Sequence, residues 1–225
     1  SKSDINDAAA IGVDWMGMFF GTSPLSLKHK FNVSKKEALE QIQTTVKYGK
    51  DKGLSLRFTA EDASRTGFDF LVQVGRLVQE SGADRYSLAD TVGCLTPTKT
   101  KELIGRIVPE LDIPIHVHCH NDFGMATANA LSALEAGAQC VDVAVNGLGE
   151  RCGLPPIAEV VTALVNIYKV NGNWDLSILP ELTHLVGSFS NSLLKANQPI
   201  VGENAFTHKA GLHVKAVAKD PRSYE

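Results

Sequence analysis

The chain has 225 residues, of which 44% are hydrophobic and 21% are charged, and its formal net charge is -3. These values are typical of a soluble globular protein, and the weakly acidic balance gives no electrostatic footprint for nucleic acid or an anionic membrane. No apolar run reaches the ~18 residues of a membrane-spanning helix, and the first residues lack the pattern of a secretion signal. We therefore expect a cytoplasmic protein that binds neither nucleic acid nor membrane.

Short apolar segments alternate along the chain with segments of helical periodicity. The first residues predict the end of a helix that leads into a strand. Strands are predicted at residues 12–20, 54–60, 84–91, 113–120, 140–147 and 198–206. Helices are predicted at residues 34–52, 69–82, 98–110, 126–137 and 156–170. This alternation is typical of a parallel sheet with helices on its faces.

Local signals mark where several of these helices begin and end. Ser34 with Glu37 forms a capping-box pattern, and Thr96 followed by Pro97 suits a helix N-terminus. The predicted C-terminal caps are Gly53, Gly82 and Gly137. The helical segments are therefore bounded by their own residues and not only by periodicity.

The count of βα units favours one architecture over another. About six units of roughly 30 residues suggest an eight-stranded TIM barrel, whose active site lies at the carboxyl ends of the strands. Six units do not close such a barrel, so the sequence predicts an α/β fold, a (β/α)8 TIM barrel that lacks its first two βα units in this chain. A doubly wound open sheet is the alternative, but no glycine-rich phosphate-binding pattern follows a strand.

Three histidines alternate along the segment 113–120. Side chains of a strand alternate between its faces, so His116, His118 and His120 point one way, and Cys119 points the other. Spacing at i and i+2 lets His118 and His120 reach one point, which suits a divalent metal ion. Histidines that are simply hydrogen-bonded at a strand end remain the alternative. Cys119 is predicted to pack in the core, and all four cysteines are expected to be reduced.

Polar residues also follow other predicted strands. Arg57, Thr59 and Glu61 share one face of the second strand, where they could grip a substrate carboxylate and supply acid or base help. Thr91 occupies the same kind of position on the next strand. Asn146 lies in a glycine-containing loop, where it could add an oxygen ligand beside the histidines. The alternative for Arg57, Thr59 and Glu61 is a structural polar network. The alternative for the loop of Asn146 is a tight turn.

The segments that carry these residues resemble a known enzyme family. The sequence HVHCHNDFGMATANALSALEAGAQCVDVAVNGLGERCG is similar to the second signature of the 2-isopropylmalate synthase and homocitrate synthase family, and LRFTAED, LADTVGCLTP and VGENAFTHKAGLH match further stretches in order. This family consists of metal-dependent barrel enzymes that condense an acyl-CoA with a 2-keto acid. The likeness covers nearly the whole chain.

The resemblance implies roles for particular residues. The implied metal site is formed by His118 and His120 with Asn146 close to the ion, which would be zinc, magnesium or manganese. The implied keto-acid pocket contains Arg57, Thr59 and Thr91, with Glu61 in a catalytic role. His116 stands where lysine-pathway members carry an acidic residue, and it is predicted to bind substrate.

The resemblance also implies a second part of the site and a domain boundary. Residues 1–206 would form the partial barrel, and residues 207–225 would begin a segment that reaches the partner's active site in a homodimer. Three candidates for acetyl-CoA chemistry lie in this segment: His208, His213 and Tyr224.

The implied activity is a Claisen-type condensation of acetyl-CoA with a 2-keto acid in amino-acid biosynthesis. The reaction of homocitrate synthase with 2-oxoglutarate, in lysine biosynthesis, is the leading expectation, and 2-isopropylmalate or citramalate synthesis is an alternative. A metal-dependent aldol or Claisen lyase and an inactive truncated domain are further alternatives. In the family, an Arg-Asp or Arg-Glu pair followed by Gln on the opening strand supplies a metal ligand and a catalytic arginine. This chain contains no such motif. We therefore expect the 225-residue piece alone to turn over little and to associate.

Overall fold

The described chain comprises residues 1–192 and 194–224 of a computed structural model. It divides into two units, of which the first contains residues 1–155 and the second begins at Pro156. Eight of the eleven predicted site residues lie in the first unit, and the other three lie in the second.

Five parallel strands form the sheet of the first unit, in the order of the chain. The strands are β1 (Trp15–Gly21), β2 (Ser55–Glu61), β3 (Arg85–Asp90), β4 (Ile115–Cys119) and β5 (Cys140–Val141). Consecutive order with a helix in each connection is the wall of a βα barrel. The predicted alternation and the parallel sheet are confirmed.

Helices precede and connect these strands. They are α1 (Lys2–Ile11), α2 (Lys35–Asp51), α3 (Phe68–Glu80), α4 (Pro97–Ile107) and α5 (Ala126–Glu135). A π-helix, Ser26–Phe31, lies in the connection after β1, and short 3-10 segments occupy Ala63–Arg65, Val108–Glu110 and Val145–Gly147. The bounds differ from the predicted ones by only a few residues.

The two faces of β2 explain why the sheet carries both a core and a site. Leu56, Phe58 and Ala60 are buried, and they belong to the cluster that packs under the helices. The alternate residues of the strand are only partly buried and point to the opposite face. The polar side chains of β2 therefore lie on the inner face of the barrel wall, and the core on the other face remains apolar.

The predicted helix signals have the expected geometry. The Ser34 hydroxyl accepts a hydrogen bond from the Glu37 amide, and the Glu37 carboxylate accepts one from the Ser34 amide at 2.8 Å. The Thr96 hydroxyl caps α4, whose first residue is Pro97. Gly53, Gly82 and Gly137 all have positive φ. The residue types at these positions were therefore sufficient to locate the helix ends.

Two predicted strands differ from the structure. The fifth was predicted to run to Gly147, but it ends at Val141, and Asn146 and Gly147 both have positive φ. The sixth, at 198–206, is wrong because this segment forms successive turns. Its amides bond locally, from Gly202 to the Gln198 carbonyl at 3.0 Å and from Asn204 to the Ala196 carbonyl at 2.8 Å. Amides that are used in this way are not free to join a sheet.

The second unit is helical. Its helices are α6 (Ile157–Asn166), α7 (Leu179–Ser190) and α8 (Gly211–Lys219), with 3-10 segments at Leu176–Ile178 and Pro221–Tyr224. Ala158, Val161 and Leu179 form a small buried cluster of its own. Across residues 1–192 and 194–224, no helix has the length and apolar character that crossing a membrane requires.

Asp84 connects α2, β2 and β3 at the amino ends of the strands. Its carboxylate accepts hydrogen bonds from the Lys50 ammonium at 2.8 Å and from the Leu56 amide at 2.7 Å. Burial raises the pKa of this carboxyl, but the contacts with Lys50 and Leu56 outweigh burial and hold the pKa below its usual value. A carboxyl with a depressed pKa in the folded state stabilises the protein above its unfolded pKa.

We expect Asp84→Asn to destabilise the protein at neutral pH and to do so less in acid. The difference in unfolding free energy from the wild type should be largest near pH 7 and shrink as the pH falls below about 4, through the pKa of the unfolded carboxyl. Urea denaturation at several pH values measures this difference. Asp51→Asn is the control, because Asp51 makes no ion pair within the described part of the chain. A difference that is constant with pH would contradict the assignment.

Candidate active site

Strand β4 places two histidines side by side at the carboxyl end of the sheet. His118 lies within β4 and His120 follows its last residue, so both imidazoles leave the same face. Their Nε2 atoms are 3.2 Å apart. Two nitrogen ligands that are each about 2.1 Å from one ion lie roughly 3.0–3.4 Å apart for bond angles of about 90–109°. The separation therefore fits one divalent ion, and it fits equally a hydrogen bond between the two imidazoles.

Asp142, directly after β5, contacts the far nitrogen of the first histidine. Val141 pairs with Val117 in the sheet, which brings Asp142 beside His118. The Asp142 Oδ2 atom is 2.8 Å from His118 Nδ1. A carboxylate here accepts the proton of Nδ1, which leaves the lone pair of Nε2 facing His120. The arrangement is that of a metal-binding histidine held in one tautomer by a carboxylate.

The same carboxylate contacts two further groups. Arg57 Nη1 donates to Asp142 Oδ1 at 2.9 Å and to Oδ2 at 3.1 Å. His116 Nε2 is 3.0 Å from Asp142 Oδ1 and 3.4 Å from Arg57 Nη1. Burial raises the pKa of the Asp142 carboxyl, but hydrogen bonds from His116 and His118 and the charge of Arg57 outweigh burial and hold that pKa well below its usual range. The carboxylate is therefore ionised at neutral pH.

A cavity of about 410 Å³ opens beside the histidine pair. It brings together most of the residues that the sequence predicted on separate strands. His116 does not line the cavity, because it is buried beneath Asp142 and Arg57. The lining residues are Phe19, Lys30, Arg57, Thr59, Glu61, Ala89, Thr91, His118, His120, Asp142 and Glu150.

Glu61 is held by a lysine that the sequence analysis did not single out. Lys30 Nζ lies 2.7 Å from both carboxylate oxygens of Glu61. The ammonium also lies over the rings of Phe19 and Phe31, at 5.7 and 5.5 Å from their centroids. Because the pair is partly exposed, we assign it a role in orienting Glu61 and not a large contribution to stability.

The hydroxyl groups of the cavity differ in how they are engaged. Thr91 Oγ1 accepts a hydrogen bond from the Asp62 amide at 2.8 Å, so its own proton remains available for donation into the cavity. Thr59 makes no side-chain hydrogen bond to any described residue. Both hydroxyls can therefore donate to an oxygen of a bound ligand.

Arg151 anchors the loop that contains Asn146. Its guanidinium donates to both oxygens of Asp122, at 2.7 and 2.9 Å, and to the Thr91 carbonyl at 2.6 Å. The loop is thereby tied to the segments that follow β3 and β4. Asn146 itself adopts φ of 58°, within the short 3-10 turn at the base of the loop. Its predicted role near the ion stays a prediction.

The remaining three candidates lie in the second unit and contact one another. The ring of Tyr224 is 4.7 Å from that of His208 and 4.8 Å from that of His213, measured between centroids. The two imidazoles are 5.9 Å apart in an edge-to-face arrangement. The three residues thus form one aromatic cluster, and their catalytic role stays a prediction.

The surroundings of His120 favour metal binding. Burial lowers the pKa of His120, and the neighbouring His118 imidazole and the positive charge of Arg151 lower it further. A neutral imidazole is the form that binds metal. Cys119 is buried in the core, as predicted, and burial raises the pKa of its thiol to about 12. Within residues 1–192 and 194–224, no group of three or more His, Cys, Asp or Glu side chains is placed to hold an ion.

Two residues of the site were missed by the sequence analysis. Asp142 sits within an apolar segment that was assigned to a strand, and Lys30 lies in the π-helix Ser26–Phe31, a segment for which no element was predicted. The sequence shows a lone carboxylate in this segment, but its position at the carboxyl end of a strand is seen only in the structure, where β5 ends at Val141. Nothing in the residues around Lys30 indicated its contact with Glu61.

The sheet topology and the polar residues at the carboxyl ends of the strands define a βα-barrel protein with its site at that edge. Residues 1–186 match the HMGL-like family, and the chain belongs to this family. Residues 200–225 are similar to the homocitrate synthase post-HMGL domain-like family. The domain boundary predicted at residue 206 stays a prediction, and the last residue of that segment, Glu225, lies outside the described residues.

Several curated proteins are similar over the full chain. Homocitrate synthase AksA of Methanopyrus kandleri is 45% identical over 224 residues, which are 100% of this chain and 56% of that protein. Homocitrate synthase of Pyrococcus abyssi is 46% identical over 99% of this chain and 61% of its own length. A probable 2-isopropylmalate synthase of Methanopyrus kandleri is 44% identical over 100% of this chain and 45% of its own length. The chain thus spans about half the length of the curated relatives it matches.

Solved structures share the fold at low sequence identity. The hydroxymethylglutaryl-CoA lyase of Pseudomonas aeruginosa has a TM-score of 0.73 at 21% identity, over 96% of this chain and 72% of that one. The HMG-CoA lyase of Brucella melitensis has a TM-score of 0.73 at 20% identity, over 85% and 72% of the two chains. The barrel architecture predicted from the sequence is confirmed by these likenesses.

Proposed function

We propose that the full-length protein is an acyltransferase that condenses acetyl-CoA with a 2-keto acid, with 2-oxoglutarate as the leading substrate. The observation that carries this proposal is the meeting, in one cavity, of the His118 and His120 Nε2 pair with Arg57 and the Thr59 and Thr91 hydroxyls. The names of the relatives that are about 45% identical, homocitrate synthases, support it.

The cavity has the groups that a 2-keto acid requires. A carboxylate of the substrate would bind the Arg57 guanidinium, whose Nη1 is already oriented by Asp142. The Thr59 and Thr91 hydroxyls would donate to other substrate oxygens. These contacts would fix the plane of the keto group and hold one of its faces toward the cavity opening.

A divalent ion fits the residues present, and His118 and His120 would hold it, with Asn146 as a further oxygen donor. When bound, such an ion supplies Lewis-acid polarisation of the keto carbonyl. Asp142 would keep the His118 Nε2 lone pair available, and the lowered pKa of His120 keeps its imidazole neutral. The HMGL-like family is metal-dependent, but the identity of the ion, whether zinc, magnesium or manganese, is a proposal.

Proton transfer requires groups close to both reacting carbons. Removal of a methyl proton from the acetyl thioester gives an enolate, which forms the new carbon–carbon bond at the keto carbon and leaves an alkoxide that takes up a proton. Water then cleaves the thioester to a carboxylate and free CoA. Glu61 is the candidate acid or base in the first unit, oriented by Lys30. The cluster of His208, His213 and Tyr224 would serve the acetyl-CoA step, in a homodimer.

Two other activities remain candidates. Synthesis of 2-isopropylmalate is favoured by the relative of that name at 44% identity, and it differs only in the keto acid. A lyase that cleaves a carbon–carbon bond would pass through the same kind of enolate in the reverse direction. A cytoplasmic location and a role in amino-acid biosynthesis, including lysine biosynthesis, are part of the same proposal.

Product analysis with the full-length protein tests the proposal. The protein would be supplied with acetyl-CoA, a divalent metal and one of 2-oxoglutarate, 2-oxoisovalerate, oxaloacetate or pyruvate, while release of free CoA is followed. We expect release with 2-oxoglutarate. Release only with another keto acid would reassign the substrate within the family. No release with any of them by a metal-loaded protein would contradict the acyltransferase activity and favour the lyase.

A further inference from the structure

One carboxylate joins the two halves of the candidate site. Asp142 contacts His118 on the metal side and Arg57 on the side of the keto-acid pocket, and it also contacts the buried His116. The interatomic distances lie between 2.8 and 3.1 Å. Both carboxylate oxygens are therefore engaged by donors that serve different ligands.

We propose that Asp142 is a positioning residue that couples metal binding at His118 to keto-acid binding at Arg57. This inference rests on the function proposed above. It assigns to Asp142 two effects, on the affinity for the metal and on the affinity for the keto acid at saturating metal. A residue that only supported His118 would have the first effect alone.

The effect on the metal follows from the tautomer of His118. In a neutral imidazole one nitrogen carries the proton and the other carries the lone pair. Because Asp142 Oδ2 lies 2.8 Å from Nδ1, the proton is held there and Nε2 is left as the ligand atom. The negative charge of the carboxylate also strengthens the donor character of the ring.

The effect on the keto acid follows from the orientation of Arg57. Its Nη1 is committed to Asp142, whereas Nε and Nη2 make no hydrogen bond to any described residue. These free donors lie beside Gly17, where a Cβ would come within 3.6 Å of Nη2. Asp142 therefore holds the planar guanidinium by one nitrogen and leaves its other edge for a substrate carboxylate.

The backbone keeps the shared carboxylate in place. The Asp142 amide donates to the Val117 carbonyl at 3.0 Å, next to His118 in β4. The side chain thus extends from a backbone that is hydrogen-bonded to the strand that carries the metal ligands. Because the backbone is fixed in this way, we expect the loss of the Asp142 charge to disturb the positions of both His118 and Arg57.

The test compares the full-length wild type with Asp142→Asn, which keeps the shape and removes the charge, and with Asp142→Glu, which keeps the charge. The Zn²⁺ dissociation constant is measured by titration calorimetry without substrate, and the KM for 2-oxoglutarate is measured from CoA release at saturating metal. Asp84→Asn is the matched control, because Asp84 also binds a cation and a backbone amide but lies at the opposite ends of the strands.

We expect Asp142→Asn to weaken Zn²⁺ binding by roughly 10–100-fold and to raise the KM at saturating metal by about 10-fold or more. Asp142→Glu should lie between this variant and the wild type, and Asp84→Asn should change neither constant. A change in metal affinity without a change in KM would overturn the coupling. Wild-type values of both constants in Asp142→Asn would overturn the inference entirely. If the wild type binds Zn²⁺ but releases no CoA, the proposed function fails, and the metal titrations still decide the contact with His118.

Discussion

Replacement of His118 by alanine should abolish specific metal binding and metal-dependent turnover. Only two nitrogen ligands converge in the described part of the site, so the loss of one leaves a single imidazole. Removing a hydrogen bond that only orients a metal ligand typically weakens metal binding by about 10–100-fold. The loss of a direct ligand should therefore weaken it by at least about 100-fold. The substitution also leaves the Asp142 carboxylate without one of its three donors.

Titration of the full-length His118→Ala protein with Zn²⁺, together with CoA release, measures this effect. His120→Ala should behave in the same way, because the two Nε2 atoms face one point. His184→Ala is the control, since His184 is an exposed residue of α7. Tight Zn²⁺ binding in both His118→Ala and His120→Ala would show that the ion binds elsewhere.

Replacement of Gly153 by alanine should damage the loop of residues 145–153. Gly153 has φ of 85°, and a Cβ built at this position would clash with the Gly147 carbonyl oxygen. That oxygen already accepts the Leu154 amide, and the Gly153 carbonyl accepts the Asn121 amide. Because the obstacle is backbone and not the end of a flexible side chain, the loop has to move. We expect a loss of at least about 2 kcal/mol in unfolding free energy.

In Gly153→Ala, CoA release should fall by more than the loss of folded protein alone would explain. The displaced loop carries Arg151, which joins the segments after β3 and β4 through Thr91 and Asp122. Urea denaturation and CoA release measure the two effects separately. Gly105→Ala is the control, because Gly105 lies inside α4, and a Cβ there meets no atom within 4 Å. That control should be neutral or stabilised by about 0.5–1 kcal/mol. A Gly153→Ala protein with unchanged stability would contradict the expected clash of Cβ with the Gly147 backbone.

The elements that the sequence predicted well are those with strong local signals. Strands β2 to β4 combine apolar runs with polar residues at or just after their carboxyl ends, and a predicted capping residue lies at or next to one end of each of the helices α2 to α5. The predicted strand at 198–206 is wrong because the local signals of this segment favour turns. Its residues look apolar enough for a strand, but Pro199 and the turn around Gly202 direct the amides into local hydrogen bonds.

The site was predictable only in part. The common direction of His118 and His120 follows from the period of a strand, and the gathering of Arg57, Thr59 and Glu61 follows from the same rule. The contacts of Asp142 depend on the register between β4 and β5, which no single segment specifies. The contact between Lys30 and Glu61 depends on the π-helix that follows β1, which the periodicity of the sequence did not predict.

Cys119 separates the two metal-ligand candidates in sequence, but its side chain lies on the opposite face of β4. Burial in the core raises the pKa of its thiol to about 12, so the reactive thiolate is scarce at neutral pH. Oxidants and alkylating reagents should therefore spare this position and act first at the exposed Cys94 and Cys152. The alternation of a single strand thus lets a thiol stand next to two imidazoles in the chain without making the site sensitive to oxidation.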